Sequence, residues 1–237
     1  YFATRSSSDL PAQIEDRFLH RKKRYSLVAI TDSIGFDPRE YGLIPEARCT
    51  ACWRGYFCEY KVAQEGLFLQ NLFINTKDEI YPPVNGVPVS EMEYHECTVI
   101  SFKDGKQIQR KEMTENNMGH REYKDVNIPM AYTGKILLGD EFLRKYYIHM
   151  GFQRSWAYKE LVEFEFDNGK LVKKTDHSDT AQKLREILDS SGVNPAHPEG
   201  ENIPKFVSDS FSLDYAVKAW WLEKDAAILD LIKKTGL

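Results

Sequence analysis

The residues with the clearest chemical potential lie close together in CTACWRGYFCEYKV, residues 49–62. Cys49 and Cys52 have the Cys-x-x-Cys spacing of half a zinc site, which Cys58 or the later Cys97 could complete. A zinc knuckle needs a tight turn between its first two ligands, but no glycine lies there, and no second paired motif follows. We therefore expect no metal and no cofactor, and interpret the cysteines as reduced thiols that pack as small hydrophobic groups.

The same stretch has the aromatic and β-branched content of a strand, and alternate residues of a strand share a face. Arg54 then lies on one face with Tyr56 and Cys58. A buried guanidinium needs either a carboxylate, in a structural ion pair, or an anionic ligand held in a pocket. Both alternatives remain open, and Gly55 beside it suits a close approach of backbone or ligand. Arg54 and Tyr56 are candidate ligand-binding residues.

A second group of functional residue types occurs in YYIHMGFQRSWAY, residues 146–158. His149, Arg154 and Trp156 supply an acid–base group, a cation and an aromatic wall within eight positions. Such a combination is typical of ligand sites, but a histidine among aromatic residues also serves as a structural residue. Arg154 and Trp156 join the candidate ligand-binding residues, and His149 is a candidate catalytic residue.

Two carboxylates alternate with apolar residues in LVEFEF, residues 161–166. Glu163 and Glu165 would share one face of a strand, close enough to act as an acid–base pair of the kind used in glycoside chemistry. The alternative is the polar, solvated face of a half-buried strand. With His149, they are the candidate catalytic residues of an enzyme.

Three hairpin signals predict the elements that position these residues. Asp104-Gly105 and Asn168-Gly169 each separate two alternating runs, and AQEG, residues 63–66, separates two apolar segments. QIEDRFLHRKKR, residues 13–24, predicts a short helix. DTAQKLREILDSSG, residues 179–192, predicts a longer one, with helical spacing, a capping residue and a final glycine.

Strands followed by helices predict an α+β fold, drawn as an antiparallel β-sandwich or partly open β-barrel with C-terminal helices packed on one face or end. Residues 1–23 would form a polar N-terminal tail and short helix. Residues 24–175 would form the antiparallel β domain, and residues 176–237 a helical segment packed on it as one structural unit.

Composition limits the classes of partner. The chain of 237 residues has a net charge of −4 with both signs mixed, so we expect no nucleic acid partner. No apolar run has the length of a membrane span, and the first residues lack the apolar centre of a signal peptide, so we expect no membrane contact and a cytoplasmic location.

Signatures of common hydrolases, nucleotide-binding proteins and metalloproteases are absent from the sequence. We expect a non-catalytic β scaffold that binds a small anionic or aromatic ligand or a protein partner. One alternative is a hydrolase or isomerase in which Arg54, His149 and Glu163 or Glu165 converge on one pocket. Another is an interaction module that presents an exposed C-terminal tryptophan, Trp220 or Trp221.

Overall fold

Tight two-residue turns join neighbouring strands in the computed structural model, which describes residues 13–31, 33–103, 106–147 and 153–191. Both turn residues have positive φ at Arg21-Lys22 (49° and 68°), at Gln64-Glu65 (48° and 64°) and at Asn168-Gly169 (46° and 79°). This pairing of positive φ values is the geometry of the turns whose twist matches that of a β-hairpin. Two of the three predicted hairpins are therefore confirmed with their turns.

The described residues form eleven strands and one α-helix. The strands are β1 (Arg17–His20), β2 (Lys23–Ile30), β3 (Tyr56–Ala63), β4 (Gly66–Ile74), β5 (Tyr94–Lys103), β6 (Lys106–Glu115), β7 (Arg121–Tyr123), β8 (Ile128–Pro129), β9 (Gly134–Phe142), β10 (Tyr158–Asp167) and β11 (Lys170–Asp176). Helix α1 (Ser178–Ser191) follows β11 and fulfils the prediction made for this segment.

Nine of the strands belong to one large sheet, here called the main sheet, in the order β11-β10-β9-β2-β1-β3-β4-β7, with β8 also paired to β4. Its ends meet where β11 pairs with β4 at Lys170 and Gly66. Two backbone hydrogen bonds hold this contact: Leu67 N donates to Gly169 O at 2.8 Å, and Leu171 N donates to Glu65 O at 2.7 Å. The sheet thus curves round to enclose an interior.

Alternation along the strands fills that interior with side chains. Cys58, Tyr60 and Val62 of β3 point into the main core, while Phe57 of the same strand packs on the outside against Phe73. The side-chain parity predicted for this run holds from Tyr56 onward. The core is rich in aromatic rings, including Phe18, Tyr60, Tyr123, Phe164 and Phe166, all at most 2% exposed. A small curved sheet filled in this way is stabilised by packing.

The main sheet is mixed, which corrects the expectation of a purely antiparallel architecture. Strand β1 pairs antiparallel with β2 but parallel with β3. The structure also places a strand, Arg17–His20, where the sequence predicts a short helix. The reason is tertiary: Phe18 is fully buried in the core, and the Arg21-Lys22 turn folds the chain directly back into β2.

Helix α1 packs on the outer face of the main sheet. Ala181 of the helix is buried with Leu161 and Trp156 in a separate apolar cluster. Arg185 holds the helix in place, since its Nη1 donates to the carbonyl oxygen of Tyr158 at 2.7 Å. The second C-terminal helical segment predicted from the sequence, with Trp220 and Trp221, lies outside the described residues. Within the described chain, no helix has the length and apolar character needed to cross a membrane.

From the close approach of β4 and β11 we predict that Gly169 is needed for stability. A Cβ added to Gly169 would stand 2.2 Å from the carbonyl oxygen of Met130, and the residue has a φ of 79°. Gly169→Ala should lower the free energy of unfolding by at least about 2 kcal/mol, measured by chemical denaturation. Gly86 is the matched control, since it has a φ of 77° but no atom within 4 Å of an added Cβ. Gly86→Ala should cost only about 1 kcal/mol; equal losses would contradict the crowding at Gly169.

Candidate functional site

The hairpin of β5 and β6 stands apart from the main sheet. Its two ten-residue strands form a separate two-stranded sheet, in register from Tyr94 opposite Glu115 to Lys103 opposite Lys106. The predicted strands are confirmed, although the predicted turn, Asp104-Gly105, lies outside the described residues. An isolated two-stranded hairpin is only marginally stable in water, so a solitary pair of long strands needs an explanation.

Large apolar side chains are exposed on this hairpin. The register places Tyr94, Ile100 and Met113 on one face and Ile108 on the other. Tyr94 is 55% exposed and Met113 is 66% exposed. Single exposed apolar residues are ordinary, but here four lie on one hairpin that pairs with no other strand among the described residues.

The backbone of the hairpin has a defined outward side. Asn116 N donates to Glu93 O at 2.9 Å, just before β5 and just after β6. Glu93 and Asn116 therefore form a hydrogen-bonded pair, and the same ladder continues into the hairpin. Hydrogen-bonded and non-hydrogen-bonded pairs alternate in an antiparallel ladder. The pairs Thr98–Lys111 and Ile100–Gln109 are therefore non-hydrogen-bonded. Their peptide groups point away from the partner strand, toward the outer edges of β5 and β6.

The two outer edges differ in charge. β5 contains an uncharged run, CTVISF, from Cys97 to Phe102, with four β-branched or hydroxylated residues in its middle and neither glycine nor proline. β6 has five charged side chains: Lys106, Arg110, Lys111, Glu112 and Glu115. Charged residues are a common protection of edge strands against pairing with other chains. β6 has this protection, whereas the middle of β5 lacks it.

Polar contacts fix the base of the hairpin to the rest of the protein. Lys124 Nζ lies 2.6 Å from Glu93 Oε1, and Asn116 Nδ2 donates to Glu93 at 3.2 Å. After β6 the chain reverses through Asn117, Met118 and Gly119, with φ values of 52°, 55° and 77°. Three successive left-handed residues are unusual, and they turn the chain from β6 toward β7.

His120 contacts the backbone of this chain reversal and holds it in place. Its side chain is buried, its Nδ1 lies 3.0 Å from Asn117 O, and its ring meets Phe57 edge to face at 5.3 Å. Burial lowers the pKa of His120, so the ring is neutral at physiological pH and donates from Nδ1 to that carbonyl. A small cleft beside it is lined by Glu91, Glu93, Asn116, Asn117, Arg121 and Glu122, among others.

Arg54 lies in a buried ion pair. It occupies the turn before β3, not the strand itself, and Gly55 after it has a φ of 76°. Its guanidinium pairs with Asp16, whose Oδ1 also accepts the Cys58 N–H at 2.7 Å. The side chain of Arg54 is 8% exposed and that of Asp16 is fully buried. Burial opposes the charge of Arg54, but attraction to Asp16 outweighs it and raises the pKa of the guanidinium.

The other candidate ligand-binding residues divide between two places. Tyr56 is half-buried beneath Arg54, whose Cζ lies 4.6 Å from the ring centroid. Arg154 is exposed, and Trp156 is buried in the outer cluster beneath α1, where its carbonyl oxygen accepts a hydrogen bond from Arg185. The structure therefore brings Arg54 and Tyr56 together and places Trp156 in a different cluster.

The two candidate catalytic residues that the structure describes, Glu163 and Glu165, lie beside basic groups other than Arg54. Glu163 is 4% exposed and lies 3.3 Å from Lys135 Nζ and 3.5 Å from His177 Nε2. It faces the outside of the main sheet. The polar-face alternative supposes that the side chain is solvated there, but it is covered. Glu165 is half-buried, opposite Lys173 and Lys135 on the neighbouring strands. His149 lies outside the described residues.

The four cysteines, all of which the structure describes, are free thiols. Cys52 and Cys58 are buried, and burial raises the pKa of Cys52 to about 12, so this thiol stays protonated. No group of three or more histidine, cysteine, aspartate or glutamate side chains is placed to hold a metal ion within the described ranges.

Two features of the site were missed by the sequence reasoning. Asp16, the partner of Arg54, is 38 residues away in the chain, and no local pattern marks it. The open edge of β5 had a signal, since CTVISF lacks charge, glycine and proline, which is the composition of segments prone to strand pairing. Comparison with known proteins gives no match to a family model, a curated protein or a solved structure.

The Arg54–Asp16 pair makes a prediction about stability. Arg54→Met leaves the buried Asp16 carboxylate without its counter-charge and should lower the free energy of unfolding by about 3–5 kcal/mol, measured by chemical denaturation. Arg110→Met is the matched control, because Arg110 pairs with Glu112 on the exposed hairpin with side chains 64% and 41% exposed. That change should cost less than about 1 kcal/mol. Similar losses for the two variants would contradict a structural role for the buried pair.

Proposed function

We propose that the protein is a non-catalytic binding module whose β5–β6 hairpin binds a protein partner. The partner contributes an extended segment, which adds to the outer edge of β5 through main-chain hydrogen bonds. In this mode of recognition the backbone supplies affinity, and alternate side chains supply specificity. The observation that carries the proposal is an uncharged strand edge, from Cys97 to Ser101, on a hairpin that the described residues leave unpaired with the main sheet.

The edge that β11 forms in the main sheet differs in charge from the edge of β5. Beyond Lys170, β11 lacks a partner on its outer side among the described residues, but it contains Lys173 and Lys174 and ends at Asp176. β5 presents Thr98 and Ile100, both exposed, at the corresponding position in its own sheet. Strand addition to β5 therefore meets no lysine in the middle of the edge.

The other functions considered from the sequence have less support. Arg54 is already engaged by Asp16 and the carbonyl oxygen of Tyr56, which argues against a small anionic ligand at that position. The enzyme considered from the sequence needs Arg54, His149 and Glu163 or Glu165 in one pocket, but Arg54 and Glu163 belong to separate ion-pair clusters. The interior of the main sheet is filled with aromatic side chains, which leaves the protein surface as the place for binding.

A cytoplasmic location is part of this proposal. It is supported by the four free cysteines, because a reducing compartment keeps thiols in that state. Cys97 in particular lies on β5 itself, where its Sγ is 2.9 Å from Thr114 Oγ1.

Selection from a displayed library of random decapeptides tests the proposal. The wild-type protein should enrich extended, β-branched peptides, and Ile100→Pro should weaken their binding at least about tenfold, since it removes one outward N–H of β5. The ladder between β5 and β6 keeps its bonds, because the Ile100 amide points away from β6.

Gln109→Pro is the matched control. Gln109 lies directly opposite Ile100 and points its amide toward the outer edge of β6, so this variant should bind the selected peptides as the wild type does. Enrichment of no peptide by the monomeric protein, or equal loss of binding in both variants, would contradict recognition at the β5 edge.

A further inference from the structure

We infer that a second copy of this chain is a partner of the β5 edge, with the two β5 strands paired antiparallel about a two-fold axis. The inference rests on the proposed function, because it names the occupant of the same edge. The result is one four-stranded sheet in the order β6-β5-β5-β6, shared between two protomers.

Symmetry restricts how a strand can pair with its own copy. A two-fold axis perpendicular to the sheet places one residue opposite itself, and residues directly opposite each other share a face. For β5, the two registers that pair nine residues place Thr98 or Val99 on the axis. Both residues are uncharged, and the only carboxylate of β5, Glu96, meets no other carboxylate in either register.

The same operation fails for β6. Its two nine-residue registers place Arg110 or Lys111 opposite its own copy, and like charges directly opposite are destabilising. Self-association through the hairpin therefore favours the β5 edge over the β6 edge. The uncharged edge of β5 is thus also the edge that can pair with its own copy without like charges opposite each other.

The assembly also ends at two chains. Pairing through β5 leaves β6 as the outer strand on both sides of the four-stranded sheet, and each β6 has five charged side chains. Charged edges resist further strand addition, so the contact closes as a dimer and does not propagate into a fibre. Dimerisation also converts a marginally stable two-stranded hairpin into a sheet of four strands. Sheets of three or more strands are more stable than an isolated hairpin.

Sedimentation equilibrium on the whole chain tests the inference. The wild type and Gln109→Pro should sediment as dimers of the 27.5 kDa chain, and Ile100→Pro should raise the dimer dissociation constant at least about tenfold. A wild type that stays monomeric at about 100 µM, or a dimer unaffected by Ile100→Pro, would overturn the inference.

A second pair of variants leaves the hairpin backbone intact. Thr98→Lys places the two lysines opposite each other, or each one residue from the axis, and should also raise the dissociation constant about tenfold, while Gln109→Lys should not. Unchanged far-ultraviolet circular dichroism shows that each variant is folded. Loss of dimerisation in both lysine variants alike would contradict pairing through β5.

The inference and the proposed function fail in different ways. A monomeric wild type that still enriches peptides, with Ile100→Pro deficient in their binding, refutes the second copy and retains the strand-accepting edge. A monomeric wild type that enriches no peptide refutes both.

Discussion

Unpaired backbone at a strand edge is the constraint on which this structure depends, because each exposed N–H and C=O must find water, a neighbouring strand or a partner. The main sheet meets this constraint by curving until β11 contacts β4 and by placing short strands, β7 and β8, along the remainder of β4. The part of β11 that extends past this contact is lysine-rich. The hairpin meets the constraint on its β6 side with charge, whereas β5 has no charged side chain from Cys97 to Ser101.

The buried Arg54–Asp16 pair has a complementary role in organising the fold. Asp16 accepts the Cys58 N–H through its side chain, and its backbone carbonyl accepts the Leu27 N–H at 2.8 Å. One residue thereby ties the segment before β1 to both β2 and β3. Because β1 lies between these strands, antiparallel to β2 and parallel to β3, the Arg54–Asp16 pair helps to define the strand order around the interior.

Local patterns predicted much of the fold. Asn168-Gly169 specified a hairpin, the spacing of apolar residues specified α1, and the alternation after Tyr56 specified which side chains of β3 enter the core. The strand at Arg17–His20 was not predictable in this way, because Phe18 is drawn into a core built from distant strands. The Arg54 partner and the meeting of β4 with β11 are likewise contacts between residues far apart in the chain. The uncharged composition of CTVISF could be seen in the sequence. The separation of its hairpin from the main sheet could be seen only from the strand order of the structure.

The most direct measurement of the central claim is amide hydrogen exchange, resolved by residue, across a range of protein concentrations. If β5 is the edge that accepts a partner strand, the amides of Thr98 and Ile100 should become more protected as the concentration rises or as a selected peptide is added. The amides of Gln109 and Lys111, on the outer side of β6, should continue to exchange rapidly. Rapid exchange at Thr98 and Ile100 under all conditions, or protection that appears at Gln109 and Lys111 instead, would contradict the account.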